Sequence, residues 1–107
     1  MNRIAITGLL VAGLFAAPVV FAKSVSFDVV NGTGANLTAI YTGPTGEDEW
    51  GPNILDGTIK NGGTVSITLD GLSGCDYDFR YEFSDRETYE EYGIDVCAID
   101  GAEFKIK

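Results

Sequence analysis

The sequence predicts an all-β domain: an antiparallel two-sheet sandwich of the immunoglobulin-like or C2-like kind. Three observations favour this class. Apolar residues recur at every second position, turn residues separate the apolar segments, and the 107-residue chain contains 14 glycines and 3 prolines. No segment after residue 22 carries a convincing helical pattern. We therefore expect about seven short strands, with turns roughly every 8–12 residues.

The first 22 residues have the pattern of a secretory signal peptide. Arg3 makes the amino-terminal end basic, and an uncharged apolar run follows it. Val20-Phe21-Ala22 then resembles the small-residue cleavage site of a signal peptidase. We expect residues 1–22 to be cleaved and residues 23–107 to form a single β-sandwich domain, either periplasmic or secreted from a bacterium. The alternative is that this segment is an uncleaved membrane anchor. Its apolar run, however, is close to the shortest length that spans a bilayer, since membrane-spanning helices have about 17–25 residues.

Alternation of apolar and polar residues predicts most of the strands. Their apolar positions are, in chain order, Val25, Phe27 and Val29; Leu37, Ala39 and Tyr41; Val65, Ile67 and Leu69; and Phe104 and Ile106. Glycine-rich turns separate them, above all Asn31-Gly32-Thr33-Gly34 and Gly43-Pro44-Thr45-Gly46. Each predicted strand therefore has one face toward a core and one toward water.

The clearest strand begins at Cys75 and alternates aromatic with mostly charged side chains. Its aromatic positions, which we expect to face the core, are Tyr77, Phe79, Tyr81 and Phe83. Its polar positions, which we expect to face water, include Asp76, Asp78 and Glu82. Residues 85–92 could form a helix, but we interpret them as the hairpin partner of this strand, with the turn at Ser84-Asp85-Arg86.

The chain has two cysteines, Cys75 and Cys97. An even pair in a small exported domain predicts one disulfide, and closing a loop of about 23 residues is worth about 3 kcal/mol. If Cys97 points inward, strict alternation sends Asp95 inward as well. Three arrangements stay open: a bulge that leaves Asp95 at the edge, a segment covered on both faces, or a buried, hydrogen-bonded Asp95.

Residues 23–107 are strongly acidic, with 16 acidic and 6 basic residues and a net charge of −10. Such a surface disfavours nucleic acids and anionic membranes, and it favours a cation or a basic protein. The chain has no histidine, which excludes Ser-His and Cys-His nucleophile pairs and most zinc sites. Two carboxylates could serve a glycosidase, but in so acidic a chain that signal is unspecific. We therefore expect that the protein is not an enzyme.

A turn-rich acidic segment holds the candidate binding loop. Its members are Glu47, Asp48, Glu49, Trp50, Asn53 and Asp56. Trp50, the sole tryptophan, could anchor a protein or stack on a sugar, or it could simply cover one end of the sandwich. Oxygen ligands also suit calcium, with Asp76 and Asp78 as weaker candidates, although no EF-hand loop fits. We expect no other cofactor.

Several short motifs follow one another along the chain. They are Asn31-Gly32-Thr33-Gly34, Ile40-Tyr41, Trp50-Gly51-Pro52-Asn53-Ile54-Leu55, Cys75-Asp76-Tyr77-Asp78-Phe79-Arg80 and Gly93-Ile94-Asp95-Val96-Cys97. In order and spacing they resemble an uncharacterised family of small secreted bacterial β-sandwich proteins. The resemblance spans residues 27–97, which is most of the chain after residue 22. It implies an exported β-domain and transfers no reaction, ligand or catalytic residue.

Charge, export and the lack of a catalytic constellation together predict a binding role. We expect an exported acidic module that is non-catalytic and recognises a protein, as an inhibitor of or adaptor to a basic exported protein such as a lysozyme-like hydrolase. A calcium- or carbohydrate-binding β-sandwich domain is the alternative. No nucleic acid is expected as a partner, and no membrane once the signal is removed.

Overall fold

The structure, a computed structural model, describes residues 23–107; the predicted signal peptide lies outside them. Six strands form two three-stranded sheets. They are β1 (Lys23–Asn31), β2 (Leu37–Pro44), β3 (Thr64–Leu72), β4 (Asp76–Phe83), β5 (Thr88–Asp95) and β6 (Glu103–Ile106). The described residues contain no helix long and apolar enough to cross a membrane. The predicted two-sheet all-β sandwich is confirmed.

The strand count and one strand direction differ from the prediction. The structure has six strands where about seven were expected. Residues 53–59 meet β2 only through isolated bridges, Tyr41 with Asn53 and Leu37 with Ile59. The sheet order β3-β1-β6 is mixed, since β1 pairs antiparallel with β3 but parallel with β6. A parallel neighbour requires a long crossover, and the chain forms the entire second sheet, β2-β4-β5, between β1 and β6.

The predicted hairpin is confirmed, because β4 and β5 pair antiparallel with Tyr81 opposite Tyr89. Its turn is closed by two backbone hydrogen bonds, in which Phe83 N donates to Glu87 O and Arg86 N donates to Phe83 O, both at 3.0 Å. Arg86 has a φ of 71°. This is a three-residue hairpin turn with a bulge at a left-handed position, where glycine is the preferred residue.

The core lies between the two sheets and follows the predicted alternation except in β2. There the register against β4 shifts between Leu37 and Ala39, so Ile40 is buried and Tyr41, which was expected to face the core, is only half-buried. All four aromatic residues of β4 expected inside are buried: Tyr77, Phe79, Tyr81 and Phe83. Phe79 meets Phe27 of the opposite sheet edge-to-face, with ring centroids 6.3 Å apart, a geometry that aromatic pairs favour. Of the polar positions, Asp76 is exposed, whereas Asp78 and Glu82 are half-buried.

Asn31 is a fully buried polar residue at the end of β1. Its amide nitrogen donates to the carbonyl oxygens of Ala35 and Ile59, at 2.7 and 3.0 Å. Its amide oxygen accepts hydrogen bonds from the backbone nitrogen and the hydroxyl of Thr33. Burial of an amide is tolerated when its donors and acceptors are used, so Asn31 ties the first turn to the segment that follows β2.

The disulfide predicted between Cys75 and Cys97 is present, with Cα atoms 5.3 Å apart. It closes the end of the β4–β5 hairpin opposite to the turn. Between Glu91 and Ile94 the register of β5 shifts by one residue against β4, which is a β-bulge. The bulge leaves Asp95 exposed while Val96 is fully buried. Of the three arrangements considered for Asp95, the bulge is therefore the one adopted.

Candidate functional site

The acidic loop begins in a tight turn at the end of β2. Glu47 N donates to Pro44 O at 3.1 Å, and Gly46 between them has a φ of 93°, which identifies a type II turn with glycine at its third position. Thr45 fixes this turn to β4: its backbone nitrogen donates to Asp76 O at 3.0 Å, and its hydroxyl donates to the Asp78 carboxylate at 2.8 Å.

After the loop the chain returns along the free edge of β2. Gly51 N donates to Thr42 O at 3.3 Å, and a Cβ on Gly51 would lie 2.8 Å from that oxygen, so only glycine fits without a shift of the backbone. Asn53 follows, and its amide oxygen accepts hydrogen bonds from the backbone nitrogens of Ile40 and Leu55, both at 3.0 Å. Asn53 is therefore occupied in holding the backbone.

A pocket of about 270 Å³ lies between this loop and the outer face of the β2-β4-β5 sheet. Its lining residues are Gly43, Pro44, Glu47, Asp48, Glu49 and Trp50 from the end of β2 and the loop, Asp78 from β4, and Glu90 and Tyr92 from β5. The structure thus brings the predicted loop residues 47–50 together with Asp78. The other predicted candidates, Asn53, Asp56 and Asp76, do not line the pocket.

Asp78 joins the three walls of the pocket. One of its carboxylate oxygens accepts the hydroxyl of Thr45 and also the backbone nitrogen of Gly93, each at 2.8 Å. The first bond holds the acidic loop, and the second holds the bulge of β5. Asp78 was considered as a metal ligand in the sequence, and its contacts here are those of a positioning residue.

Glu90 on the β5 wall of the pocket is hydrogen-bonded both to Tyr92 of the same strand and to Arg80 of β4. Arg80 makes an ion pair of 2.6 Å with Glu90, and the Tyr92 hydroxyl donates to the other Glu90 oxygen. The bond from Tyr92, followed by the bond from Arg80, lowers the pKa of Glu90 below its ordinary value. The same bond to Glu90 raises the pKa of Tyr92. At neutral pH Glu90 is therefore an ionised carboxylate and Tyr92 a neutral phenol.

The three loop carboxylates, Glu47, Asp48 and Glu49, are exposed. Within residues 23–107 the salt bridges involve only Arg80 with Glu82 and Glu90, so these three negative charges have no partner there. Trp50 beside them is half-buried, and it is not among the side chains that pack against the core. The pocket combines unpaired negative charge with aromatic surface, which is the chemistry that attracts a cation with an apolar stem.

The carboxylates do not converge in the manner of a preformed metal site. Among the described residues, one group of three potential ligands lies within 4.8 Å of one another, and it comprises Cys75, Asp95 and Cys97. Both of these cysteines are held in the disulfide, and the Asp95 carboxylate caps the backbone nitrogens of Cys97 and Ala98. This group is a structural cap.

Glu90 and Tyr92 were not recognised from the sequence as site residues. They lie about forty positions beyond the loop in the chain, and the pairing of β5 with β4 brings them to it. The available signal was the interpretation of residues 85–92 as the partner of β4. Pairing places Glu90 opposite Arg80 on the polar face.

Comparisons with known proteins show the fold alone. Neither a protein-family model nor a curated protein matches the sequence. A protein from Eubacterium rectale, whose structure was determined by NMR, is similar in fold with a TM-score of 0.50 and 11% sequence identity. The match covers 77% of this chain and 73% of that one. At this identity the similarity supports the β architecture and carries no function.

Proposed function

We propose that this chain is an exported, non-catalytic binding module that recognises a basic protein partner through the loop Glu47–Trp50. The observation that carries the proposal is the pocket beside this loop, which is lined by five carboxylates and two aromatic side chains, Trp50 and Tyr92. An aromatic anchor within a charged rim is the common composition of a protein-recognition hot spot.

The overall charge supports the same partner class. Residues 23–107 have a net charge of −10, so their field attracts a basic protein and accelerates encounter, an effect that falls as ionic strength rises. Arg80 is paired with glutamates, and no basic side chain of the described residues lines the pocket. A cationic group entering it meets no positive charge on the pocket wall.

The compartment proposed is the periplasm or the medium. The disulfide between Cys75 and Cys97 is compatible with an oxidising location. The signal-like pattern of residues 1–22 predicts cleavage after Ala22. Amino-terminal sequencing of the exported protein tests this: a start at Lys23 is expected, and a membrane-retained protein starting at Met1 would contradict it.

The binding role is tested by a pull-down from the exported fraction at low and high salt. Two variants are compared with the parent protein: Trp50→Ala, and a triple change of Glu47, Asp48 and Glu49 to Gln, Asn and Gln. We expect both variants and added salt to reduce capture of a basic protein. The matched control is Asp56→Asn, an exposed acidic residue outside the pocket.

The calcium- or carbohydrate-binding alternative has its own outcome in the same experiment. Capture that disappears only after chelation of calcium would assign the loop to a metal. Capture that persists in both variants and in high salt would place the binding surface elsewhere and contradict the proposal. Turnover of glycoside or peptide substrates by the purified protein would contradict its non-catalytic character.

A further inference from the structure

We propose that the free edge of β5 accepts an extended basic segment of the partner as an additional strand of the β2-β4-β5 sheet. This inference rests on the proposed function and specifies how the basic partner binds. β5 is the outer strand of that sheet, and it is eight residues long. Extended peptides commonly bind by adding a strand to an exposed sheet edge.

The hydrogen-bond pattern of the hairpin identifies the unpaired groups on this edge. Phe83 N donates to Glu87 O, and in an antiparallel pair the hydrogen-bonded positions recur at every second residue. Tyr89, two residues on, therefore points its backbone groups at β4. The N–H and C=O groups of Thr88 and Glu90 point away from the sheet, where a further strand would meet them.

The exposed side chains of β5 supply contacts on both faces of such a strand. Tyr89 and Tyr92 are 45% and 64% exposed, and they are the exposed large hydrophobic side chains of the described residues. Tyr89 is stacked on Tyr81 on the inner face, with ring centroids 6.0 Å apart. Tyr92 belongs to the pocket on the outer face. Alternate side chains of an added strand fall on these two faces.

Charge determines which strand fits. β5 and the residue before it contain Glu87, Glu90 and Glu91 and no basic residue. A second copy of this chain would bring these glutamates against one another, and like charges on facing strands are destabilising. A segment with lysine or arginine on its outer face would instead direct those side chains toward Glu90 and the acidic loop.

The test measures amide hydrogen exchange of the ¹⁵N-labelled, disulfide-bonded protein by NMR. The probe is an end-blocked heptapeptide of alternating lysine and valine. One control peptide has glutamate in place of lysine, and another carries N-methyl groups on alternate backbone nitrogens so that it cannot pair. At a concentration of ten times its Kd, the lysine peptide is expected to slow exchange of the Thr88 and Glu90 amides about tenfold, and the controls are not.

A pair of variants provides the second measurement. Thr88→Pro removes an N–H that faces away from the sheet, which an edge strand tolerates, and it leaves the charge unchanged; Thr88→Val retains the N–H. We expect Thr88→Pro to weaken peptide binding by about 3–10-fold, the effect of one lost hydrogen bond, and Thr88→Val to change it by less than about twofold. The exchange measurement on the parent protein decides the matter if the proline variant does not fold.

The outcomes separate this inference from the proposed function. Peptide binding that changes Trp50 fluorescence but leaves exchange of the Thr88 and Glu90 amides unaltered would overturn strand addition and leave the acidic loop as the binding surface. Failure of the lysine peptide to bind while the pull-down still recovers a basic protein would overturn it as well. If the lysine peptide does not bind and the pull-down recovers no basic protein, strand addition and the proposed function are both contradicted.

Discussion

The Tyr81 hydroxyl, on a side chain that is 1% exposed, donates a hydrogen bond of 2.9 Å to the Glu91 carboxylate on the edge strand. The most buried ring of the β4–β5 hairpin thus has its polar end on an acidic residue. A buried phenol is stable when its hydroxyl has a partner, and this partner also opposes formation of a second negative charge beside it.

We predict a loss of stability at alkaline pH that depends on Tyr81. Burial, followed by the charge of Glu91, raises the pKa of Tyr81 well above its ordinary value. Below the unfolded-state pKa of about 10, the phenol is protonated in both states and its stabilising contribution is complete. As the pH rises further, the unfolded chain releases the proton more readily, so the free energy of unfolding falls by up to about 1.4 kcal/mol per pH unit.

Urea unfolding between pH 8 and pH 11 provides the measurement. Tyr81→Phe is expected to be about 1 kcal/mol less stable than the parent at pH 8, from the lost hydrogen bond, and to have a shallower alkaline decline. Equal slopes for the two proteins would show that Tyr81 does not govern the decline.

We predict that Asn31→Ala lowers the free energy of unfolding by about 2–4 kcal/mol, because it removes four hydrogen bonds of a fully buried amide, two donated to the carbonyls of Ala35 and Ile59 and two accepted from Thr33. Asn61→Ala is the matched control. Asn61 is exposed, and its amide oxygen accepts one hydrogen bond, from Gly34 N, so a loss of about 0.5–1 kcal/mol is expected. Denaturant melts of both variants compare them, and similar losses would refute a special role for Asn31.

We predict a graded series on β4. Phe79→Ala should cost about 3–5 kcal/mol because it opens a cavity in the aromatic core. Asp78→Ala should cost about 1–2 kcal/mol, since two hydrogen bonds to its carboxylate are lost. Asp76→Ala, at an exposed position, should change stability by less than about 0.5 kcal/mol. Thermal or denaturant unfolding measures the order, and a loss for Asp76 equal to that for Phe79 would contradict the observed register.

We predict that Arg86→Gly stabilises the protein by about 0.5–1 kcal/mol. Arg86 has a φ of 71°, a left-handed conformation that strains residues with a side chain and that glycine adopts freely. The reverse change, Gly93→Ala at a φ of 66°, should destabilise by about 1 kcal/mol. Chemical unfolding of both variants checks the two signs, and a destabilised Arg86→Gly protein would mean that the Arg86 side chain makes a compensating contact.

We predict that removing the disulfide by the double change Cys75→Ser and Cys97→Ser lowers the free energy of unfolding by about 2–4 kcal/mol. Reduction of the parent protein with a small thiol should reproduce the same loss, which serves as the control. If both cysteines react with a thiol label in the folded, oxidised protein, no disulfide is present.

The sequence was sufficient for the buried face of β4, but it missed the register shift in β2 that buries Ile40 in place of Tyr41, and it did not indicate which strands are neighbours. Alternation along Tyr77, Phe79, Tyr81 and Phe83 correctly predicted which side of β4 is buried, because side chains repeat with a period of two. The parallel pairing of β1 with β6 cannot be predicted from this alternation, since side chains alternate in the same way in parallel and antiparallel strands.

The candidate site was predicted in part for a related reason. Glu47–Trp50 and Asp78 were identifiable as acidic or aromatic residues, and the structure places them in one pocket. Glu90 and Tyr92 join them through the pairing of β5 with β4, which places Glu90 opposite Arg80 and is interrupted by the bulge only after Glu91. Asn31 was interpreted as part of a turn, because a short motif cannot show that its amide is fully buried.

The disulfide between Cys75 and Cys97 encloses the whole of β4 and β5 in one covalent ring. A protease that cleaves the exposed turn at residues 84–87 would therefore produce two pieces that stay attached to each other. The cut protein would stay one covalently linked species until a reductant is added, and the pocket wall formed by β4 and β5 would remain tethered to the rest of the chain. Survival after nicking is thus a property of where the crosslink lies.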